Sequence, residues 1–248
     1  MLKFFIALFL FFTISSFGQL SFQDSATTVG VGYSYGASTY GGGVSFCDFN
    51  GDGWDDITYS TTDGQGIYFF MNNGDSSFSM VNLSGIDNTY RTKQVLWVDY
   101  DNDGDKDFFA TSITGLNKFY KNDGNLVFTD ITNSSGFFTD NLFTYGISFG
   151  DIDNDGDLDA FIANRDEVTF NQYSYLYRND NGNFVDITAA AGINLGNQLS
   201  FCSAFFDYDN DGDQDIYVAN DKFPNINRLY QNDGTGSFTD VSIASGAG

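Results

Sequence analysis

The stretch Asp207-Tyr-Asp-Asn-Asp-Gly-Asp-Gln-Asp215 places five aspartates at alternating positions of a nine-residue segment, with glycine at the sixth position. Close copies of this segment occur at 48–56, 99–107 and 151–159. We number these segments loop 1 to loop 4 in chain order, and we number the residues within each loop from 1 to 9. One such segment would be a weak signal, whereas four in register indicate a repeated structural unit.

The loop sequence is electrostatically unfavourable unless a cation neutralises it. At ~5 Å spacing and an effective dielectric constant of about 20, each pair of like charges costs roughly 3 kcal/mol. Side-chain oxygens at positions 1, 3, 5 and 9, a backbone carbonyl at position 7 and a turn-forming glycine at position 6 suit Ca²⁺, which takes about 6–8 oxygen ligands. The sequence therefore predicts up to four Ca²⁺ ions, one in each loop.

The candidate metal ligands are the residues at these five positions, with position 7 acting through its carbonyl. They are Asp48, Asn50, Asp52, Trp54 and Asp56 in loop 1, Asp99, Asp101, Asp103, Asp105 and Asp107 in loop 2, Asp151, Asp153, Asp155, Asp157 and Asp159 in loop 3, and Asp207, Asp209, Asp211, Asp213 and Asp215 in loop 4. Loop 1 is expected to bind most weakly, because Asn50 is neutral at position 3 and Gly51 follows it.

Two other structures share features of the loop sequence, the EF-hand and the metal-free Asp-rich turn. An EF-hand needs a bidentate carboxylate at position 12 and flanking helices, but position 12 is a tyrosine or an apolar residue in every copy and the flanking segments alternate like strands. The loops could instead be Asp-rich turns that hold no ion. Turn propensity explains one or two aspartates per loop rather than five at alternating positions, so the metal site is favoured.

The loops recur at a fixed interval along the chain. Their first aspartates are at 48, 99, 151 and 207, a spacing of 51, 52 and 56 residues that is typical of propellers or repeat arrays. A second motif follows each loop at the same phase, as in Tyr177-Arg-Asn-Asp-Asn-Gly182 followed by Phe184-Val-Asp-Ile187. Its Asn- and Gly-containing segment predicts a hairpin turn, because these residues tolerate positive φ.

Each repeat predicts four short strands and no helix. In the third repeat we expect strands over 145–149, 160–163, 174–177 and 184–188, where apolar and polar side chains alternate with a period of two. Four-stranded units of about 50 residues are the sequence form of propeller blades. The predicted fold is therefore an all-β β-propeller of four-stranded blades, with four repeats present.

The two ends of the chain carry the same motif. Ser21-Phe-Gln-Asp-Ser-Ala-Thr-Thr-Val-Gly30 matches Ser237-Phe-Thr-Asp-Val-Ser-Ile-Ala-Ser-Gly246, so four sets of the first three strands accompany five copies of the fourth. The N-terminal copy either caps an open edge or belongs to a larger ring with further blades beyond Gly248. We favour the second interpretation, a partial ring of a larger propeller.

Residues 1–18 have the pattern of a secretory signal peptide. Lys3 supplies a short positive region, residues 4–12 form an unbroken apolar run, and Ser16-Phe-Gly18 places small residues before a cleavage point at Gln19. A membrane anchor needs about 20 apolar residues, and this run is too short. We therefore predict an exported protein, secreted or at the cell surface, whose residues 19–248 form the propeller repeats and which has no membrane span.

The charge of the chain excludes several functions. The sequence has 33 acidic and 10 basic residues, a net charge of −23, and no histidine. Four bound Ca²⁺ ions would leave about −15, which disfavours binding to nucleic acid or to anionic membranes. The absence of histidine rules out His-based catalysis and His-ligated zinc.

The two cysteines are not expected to form a disulfide. Cys47 lies one residue before its loop and Cys202 lies five residues before its own. On equivalent strands this offset corresponds to ~13 Å, whereas the Cα atoms of bridged cysteines lie within about 7 Å. Two separate, mostly buried thiols are predicted.

The repeat as a whole resembles the FG-GAP/VCBS repeat family, to which integrin-α-type propellers belong. The resemblance rests on the loop pattern together with Leu176-Tyr-Arg-Asn and Phe184-Val-Asp-Ile-Thr-Ala-Ala-Ala-Gly-Ile193 in the third repeat, and it extends over about 20–248. It implies a propeller with Ca²⁺ in the hairpin between the first two strands of each blade. The family is often seven-bladed, and four repeats fall short of that number.

The function predicted from the sequence is that of a calcium-stabilised binding, adhesion or scaffold module with a protein or glycan ligand. The alternative is the non-catalytic propeller of a secreted carbohydrate-active or other enzyme. We predict that the chain is not an enzyme, because its carboxylates recur identically in each repeat and a catalytic centre needs a unique arrangement. Residues outside the repeat pattern are expected in solvated loops, or otherwise on a ligand-binding face. They are Arg91, Lys93, Arg165, Asp166, Glu167 and Lys222.

Overall fold

The computed structural model describes residues 22–36, 41–137, 140–166, 168, 173–193, 196, 198–222 and 224–248. The predicted signal peptide at 1–18 lies outside these residues. The described chain forms four antiparallel sheets of four strands each, and every strand pairs with its neighbour in sequence. The predicted all-β fold of propeller blades is confirmed, and the four sheets form an open arc.

The strand bounds follow the four repeats. Sheet 1 contains β1 (Val44–Cys47), β2 (Asp56–Tyr59), β3 (Tyr68–Asn72) and β4 (Phe78–Val81). Sheet 2 contains β5 (Thr92–Val98), β6 (Asp107–Ser112), β7 (Lys118–Asn122) and β8 (Phe128–Asp130). Sheet 3 contains β9 (Thr144–Gly150), β10 (Asp159–Asn164), β11 (Tyr175–Asp180) and β12 (Asn183–Asp186). Sheet 4 contains β13 (Ser200–Phe206), β14 (Asp215–Asn220), β15 (Arg228–Asn232) and β16 (Phe238–Asp240).

The hydrophobic cores lie between successive sheets. In β10, Ala160 belongs to the cluster shared with sheet 2, whereas Phe161 belongs to the cluster shared with sheet 4. Alternate side chains of one strand thus point to opposite faces, and each face packs against a neighbouring blade. The aromatic residues fill these clusters, with Phe108 and Tyr120 between sheets 1 and 2 as examples. At these positions the aromatic side chains form the core between blades.

A tail after each fourth strand joins one blade to the next. After β12, Gly192 has φ +81°, and a Cβ at this position would lie 2.7 Å from the carbonyl oxygen of Phe238 in β16. The N–H of Phe238 donates to the carbonyl of Ala191 at 2.8 Å. Glycines 85 and 136 make the same close approach to the next sheet. Glycine is required here because the neighbouring backbone occupies the space of a side chain.

The N-terminal segment makes the same contact on the first sheet. Gly30 has φ +95° and lies against the carbonyl of Phe78 in β4. The N–H of Phe78 donates to the carbonyl of Val29 at 2.8 Å. Val31 is buried together with Ile57 of β2 in the same cluster. The N-terminal motif therefore occupies, on sheet 1, the position that each tail occupies on the following sheet.

One short helix departs from the expectation of strands alone. Helix α1 (Ser242–Ser245) is a single turn in the tail after β16 and ends at Gly246, which has φ +78°. The tails after β8 and β12 also form turns at this point. A single turn is too short to show a helical stripe of apolar residues, so the sequence pattern could not reveal it.

The cysteines are free, as predicted, but one is more exposed than expected. Cys47 in β1 is half-buried, and Cys202 in β13 is exposed. Phe205 packs towards sheet 3, whereas Cys202, Ala204 and Phe206 alternate to the opposite face of the strand, which is exposed. The prediction of two mostly buried thiols is wrong for Cys202, because its strand face does not pack against another sheet among the described residues.

Candidate metal centre

Each acidic loop is the hairpin between the first two strands of its sheet. Loop 1 joins β1 to β2, loop 2 joins β5 to β6, loop 3 joins β9 to β10, and loop 4 joins β13 to β14. Position 9 of every loop is the first residue of the second strand. The loops therefore sit at the same end of all four sheets.

The carboxylate at position 1 organises the turn of each loop. In loop 3, Asp151 accepts hydrogen bonds from the backbone N–H groups of Asp155 at 3.2 Å and Gly156 at 3.0 Å. The glycine N–H at position 6 donates to the first aspartate in loops 1, 2 and 4 as well, at 2.7, 3.1 and 3.1 Å. These bonds fix the curvature of the loop within the protein itself.

Two positions of each loop need a left-handed backbone. In loop 3, Asn154 at position 4 has φ +59° and Gly156 at position 6 has φ +94°. Loops 2 and 4 also have asparagine at position 4, and loop 1 has Gly51 there with φ +73°. Asn and Gly are the residues that adopt this conformation most readily. The recurring Asn-Asp-Gly sequence is thus explained by the backbone.

The aspartate at position 9 braces the loop against the third strand. Asp159 is fully buried, and its carboxylate accepts the N–H of Ile152 at 2.8 Å and the N–H of Asn179 at 2.8 Å. The equivalent aspartates of the other loops make the same two bonds, one to position 2 and one to the third strand. They are Asp56, Asp107 and Asp215.

Burial sets the protonation behaviour of these braces. Removal from water raises the pKa of Asp107 and of Asp159 to about 7, although two backbone N–H donors favour the charged form. Burial also raises the pKa of Asp56 and of Asp215. A buried carboxylate with other carboxylates nearby is a group that a cation would strongly favour in its charged form.

The structure brings together positions 1, 3 and 9 in three of the loops. In each case one carboxylate oxygen from every member lies within 4.8 Å of the others, close enough for a shared metal ion. The three groups are Asp99, Asp101 and Asp107, then Asp151, Asp153 and Asp159, then Asp207, Asp209 and Asp215. Loop 1 has two carboxylates at these positions, Asp48 and Asp56, with Asn50 between them.

Several oxygens in these groups have no hydrogen-bond partner in the protein. They are Oδ1 of Asp99 and Asp101 in loop 2 and Oδ1 of Asp153 in loop 3, and each of these atoms is buried. Burial and the neighbouring carboxylates Asp155 and Asp151 raise the pKa of Asp153. A buried oxygen without a donor is costly unless something else satisfies it. The residues present in loops 2 and 3 therefore fit a hard, oxygen-liganded cation.

Positions 5 and 7 have other partners in the structure. Asp155 at position 5 accepts the N–H of Asp157 at 2.9 Å, and the same bond occurs in the other three loops. The side chain of Asp157 accepts the N–H of Asn181 at 3.0 Å. The side chains of Asp157 and Asp213 at position 7 thus have hydrogen-bond partners outside the groups of three.

Neighbouring loops are linked by the asparagine at position 4. Asn102 of loop 2 donates to the carbonyl of Gly156 at 3.1 Å and to Oδ1 of Asp157 at 2.9 Å in loop 3. Asn154 of loop 3 donates to Oδ1 of Asp213 in loop 4 at 3.1 Å. Loops 2, 3 and 4 therefore form one connected row, and sequence analysis did not predict this.

A residue of the third strand also reaches the loop, and sequence analysis missed it. Lys121 in β7 donates from Nζ to Asp101 and to Oδ2 of Asp103, the latter at 3.1 Å. The hydrogen bond to Asp101 raises the pKa of the Lys121 ammonium. Gln231 in β15 donates to Oδ2 of Asp209 at 2.6 Å. Both residues stand between Tyr and Asn in the second motif, at a position that varies between repeats. The alternation of side chains along the strand, which could have revealed the contact, points this position towards the loop.

Lys93 and Arg165, two of the residues outside the repeat pattern, are buried and do not lie in solvated loops. Lys93 is 7% exposed and sits between the rings of Tyr35 and Tyr145, at 5.8 and 5.7 Å from their centroids. Arg165 is 2% exposed and lies over the rings of Tyr145 and Phe201. Both cations therefore contact aromatic rings of neighbouring blades, and the expectation of a solvated loop is wrong for them.

The remaining residues of that set differ among themselves. Asp166 is buried, and Arg91 forms an ion pair with Asp63 at 3.0 Å near the surface. Lys222 is exposed and has φ +63°, and Glu167 lies outside the described residues. Arg165 pairs with Asp221 at 2.6 Å. The sequence could not separate these cases, because burial of a charged residue depends on which neighbours the fold supplies.

Comparison with known families identifies the repeat. The profile of the FG-GAP-like repeat matches residues 48–110, 99–162 and 207–248, which together make up more than half of the chain. The chain belongs to the FG-GAP-like repeat family. FG-GAP repeats often bind calcium, are typically non-catalytic, and are usually extracellular or at the cell surface. No curated protein sequence gives a significant match.

Solved structures give only a distant likeness. One is an Agrocybe aegerita lectin, described for specific recognition of non-reducing terminal N-acetylglucosamine, with 16% identity and a TM-score of 0.49. Another is BBS1N in complex with ARL6DN, soaked with lead, with 10% identity and a TM-score of 0.49. Each match covers 79% of this chain, which spans about half the length of those chains, 50% and 54%. Likeness at this level carries no argument about ligands.

Among the residues that the structure describes, no helix is long and apolar enough to cross a membrane. The helix there, α1, has four residues.

Proposed function

We propose that this FG-GAP-like protein is an exported propeller module whose acidic loops bind Ca²⁺ and are stabilised by it. The observation that supports this most directly is the convergence of carboxylates 1, 3 and 9 within 4.8 Å in loops 2, 3 and 4. Loops 2 and 3 add buried carboxylate oxygens that have no donor in the protein. Carboxylate and carbonyl oxygens are the ligands that Ca²⁺ prefers.

The proposed ligands are the side-chain oxygens at positions 1, 3, 5 and 9 and the carbonyl at position 7. Loop 1 is the weakest of the four, because Asn50 replaces a carboxylate and its side chain already bonds within the loop: Nδ2 donates to Asp52 at 3.0 Å, and Oδ1 accepts the N–H of Asp52 at 2.9 Å. When bound, Ca²⁺ would supply charge neutralisation and no reaction chemistry.

The proposed role of the ion is structural. The protein's own hydrogen bonds hold the loop backbone, but they leave up to five carboxylates close together in a chain of net charge −23. An ion that binds the folded loop and not the unfolded chain adds its binding free energy to folding stability. The stability of the blades should therefore increase with the concentration of free Ca²⁺.

The biological role proposed for the module is binding or adhesion outside the cell, with a protein or glycan ligand. The signal-peptide pattern of residues 1–18 and the usual location of FG-GAP repeats support export. The second candidate is the non-catalytic propeller of a secreted carbohydrate-active or other enzyme. The loop carboxylates recur in every repeat, which favours a structural use in either case.

Thermal denaturation with and without calcium tests the metal proposal. In 1 mM Ca²⁺ we expect a Tm higher than in EGTA by about 5–10 °C, since an ion at roughly 100 times its Kd adds about 2.7 kcal/mol and about 1 kcal/mol shifts a domain of this size by roughly 2–4 °C. Mg²⁺ at the same ionic strength is the control and should give less. The same melting curve in Ca²⁺ and EGTA would refute the proposal.

The ligand is tested separately on the calcium-loaded protein. A glycan array tests whether the module binds sugars, and a hydrolysis screen with common polysaccharides tests whether it cleaves them. Binding without hydrolysis is expected. Release of sugar from any substrate would instead make this chain catalytic and would contradict the proposed role.

A further inference from the structure

Loop 2 already contains a positive charge of the protein itself. The ammonium of Lys121, on the third strand β7, contacts the carboxylates of Asp101 and Asp103, which are positions 3 and 5 of the loop. Asp101 is one of the three carboxylates that converge in this loop. The lysine therefore places a positive charge on two carboxylates that a metal ion in loop 2 would use. It binds Oδ2 of Asp101, whereas Oδ1 of Asp101 has no hydrogen-bond partner in the protein.

The position of Lys121 is held by its surroundings. Its side chain is 29% exposed, and Nζ lies 5.8 Å from the centroid of the Tyr100 ring, the residue at position 2 of the same loop. Tyr100 is itself buried. The ammonium is thus partly shielded from solvent and bound on more than one side, in contrast to a surface lysine that happens to lie near a carboxylate.

The equivalent residues of the other repeats do not place a full charge on the loop carboxylates. Arg178 in β11 directs its guanidinium to Asp180 of its own strand, at 2.7 and 3.0 Å. Gln231 in β15 donates a neutral amide to Asp209 at 2.6 Å. Met71 in β3 has no charged or hydrogen-bonding group. Among these four aligned residues, only the lysine forms an ion pair with carboxylates of its loop. Arg178 also attracts Asp153 of loop 3 electrostatically, but its hydrogen bonds go to Asp180.

We propose that Lys121 is a built-in counter-ion of loop 2, which weakens calcium binding there, so that loops 3 and 4 fill at lower calcium than loop 2. This inference rests on the proposed function, because it assigns an order to the proposed sites. A divalent ion entering loop 2 must either displace the ammonium from two carboxylates or remain close to a like charge. In loop 4, the amide of Gln231 can release Asp209 without any charge repulsion.

The direct test is Lys121→Gln, which gives loop 2 the residue that loop 4 has. Calcium titration of the whole chain by calorimetry should show one more tight site than in the wild type, with affinity for that site raised at least about tenfold, since ligand charge sets affinity in such loops. Lys121→Met, which copies repeat 1, should do the same and serves if the glutamine variant folds poorly. Lys118→Gln is the matched control, because Lys118 lies on the same strand and pairs with Asp130 instead.

Two further variants locate the effect. Adding Asp101→Asn to Lys121→Gln should abolish the extra site, which places it in loop 2. The reverse change, Gln231→Lys, should remove one tight site by giving loop 4 the same counter-ion. In EGTA, Lys121→Gln should also melt below the wild type, whereas in calcium the difference should shrink or reverse. A purely structural ion pair would lower the melting temperature equally in both conditions.

The outcomes separate this inference from the proposed function. If the wild type binds calcium and neither Lys121→Gln nor Lys121→Met gains a site, the counter-ion role of Lys121 is overturned. The proposal that the loops bind calcium is then still supported. No binding by the wild type with one site gained in Lys121→Gln would support the counter-ion in loop 2, but it would overturn the metal proposal for the wild type and the filling order of loops 3 and 4. No binding by any of these proteins would overturn both.

Discussion

Loop 1 and loop 3 have nearly the same backbone and very different side chains. In both, the first aspartate accepts the N–H groups of positions 5 and 6, at 3.0 and 2.7 Å in loop 1 and at 3.2 and 3.0 Å in loop 3. In both, the ninth residue, Asp56 or Asp159, braces the loop to the third strand. The loop conformation therefore depends on positions 1, 6 and 9.

The two loops differ at positions 2, 3, 4, 7 and 8, and the differences at 3, 4 and 7 affect the candidate site. Loop 1 has Asn50, Gly51 and Trp54, where loop 3 has Asp153, Asn154 and Asp157. The amide of Asn50 is satisfied within loop 1, whereas Oδ1 of Asp153 is buried without a partner. One set of residues thus holds the backbone of the repeat, and a second set determines how well the same backbone suits a cation.

The largest predicted effect comes from removing the brace that both loops share. Asp159→Ala and Asp56→Ala should each lower the free energy of unfolding in EGTA by roughly 2–5 kcal/mol, because two backbone N–H groups lose their acceptor and each unsatisfied buried group costs about 1–3 kcal/mol. Urea denaturation measures the loss. Asp55→Asn, at the exposed position 8 of loop 1, is the control and should change little.

The comparison fails if the two brace variants behave differently without metal. A large loss in Asp159→Ala with none in Asp56→Ala would mean that the brace works through the charge of the loop. Equal losses would show that it works through the backbone bonds alone.

Most of the fold could be predicted because the sequence repeats it four times. In the third repeat, the four predicted strands agree with β9 to β12 within three residues at either end. Alternation and Asn-Gly turns are local signals, and local signals fix strands and hairpins. Packing across blades is not local. The burial of Lys93 between Tyr35 and Tyr145, residues more than 100 positions apart, leaves no pattern near Lys93 itself.

The candidate site could be predicted where it depends on local sequence, and not where it depends on contacts between distant residues. Positions 1, 3 and 9 could be chosen from spacing, since side chains on alternate residues of a tight loop converge. Lys121, which contacts loop 2, lies 14 residues beyond the end of that loop, and the contact of loop 3 with Asn102 comes from the neighbouring loop. Only the pairing of β7 with β6 brings that lysine to the loop.

An intermediate effect is expected from pH in the absence of metal. The pKa of Asp159 is about 7 in the folded protein, above the value of about 4 expected in the unfolded chain. A raised pKa means that the folded state binds the proton more tightly, so the stabilisation is present below pH 4 and is lost as the pH rises through 7. In EGTA, the wild type should therefore gain stability relative to Asp159→Asn as the pH falls from 8 to 5.

The same measurement sharpens the comparison of the loops. Asp56 also has a raised pKa, but the shift is smaller, so Asp56→Asn should change the pH dependence less than Asp159→Asn does. Calcium should oppose the trend in the wild type, because the ion favours the charged carboxylate. If the free energy of unfolding changes equally with pH in the wild type and in Asp159→Asn between pH 5 and 8, the raised pKa of Asp159 is contradicted.

The smallest effect tests whether position 4 is responsible for linking neighbouring loops. Gly51 has φ +73°, and a Cβ there would meet no atom within 4 Å, so Gly51→Asn should fit and allow a hydrogen bond to loop 2 like that of Asn102 to loop 3. We expect a gain of about 0.5–1 kcal/mol, from this bond and from a less flexible unfolded chain, and a similar loss in Asn154→Gly. Gly51→Ala is the control, since alanine in this conformation costs about 1 kcal/mol and makes no bond. If Gly51→Asn and Gly51→Ala destabilise the chain equally, asparagine recurs at position 4 for its backbone preference alone, and the bonds between loops do not contribute to stability.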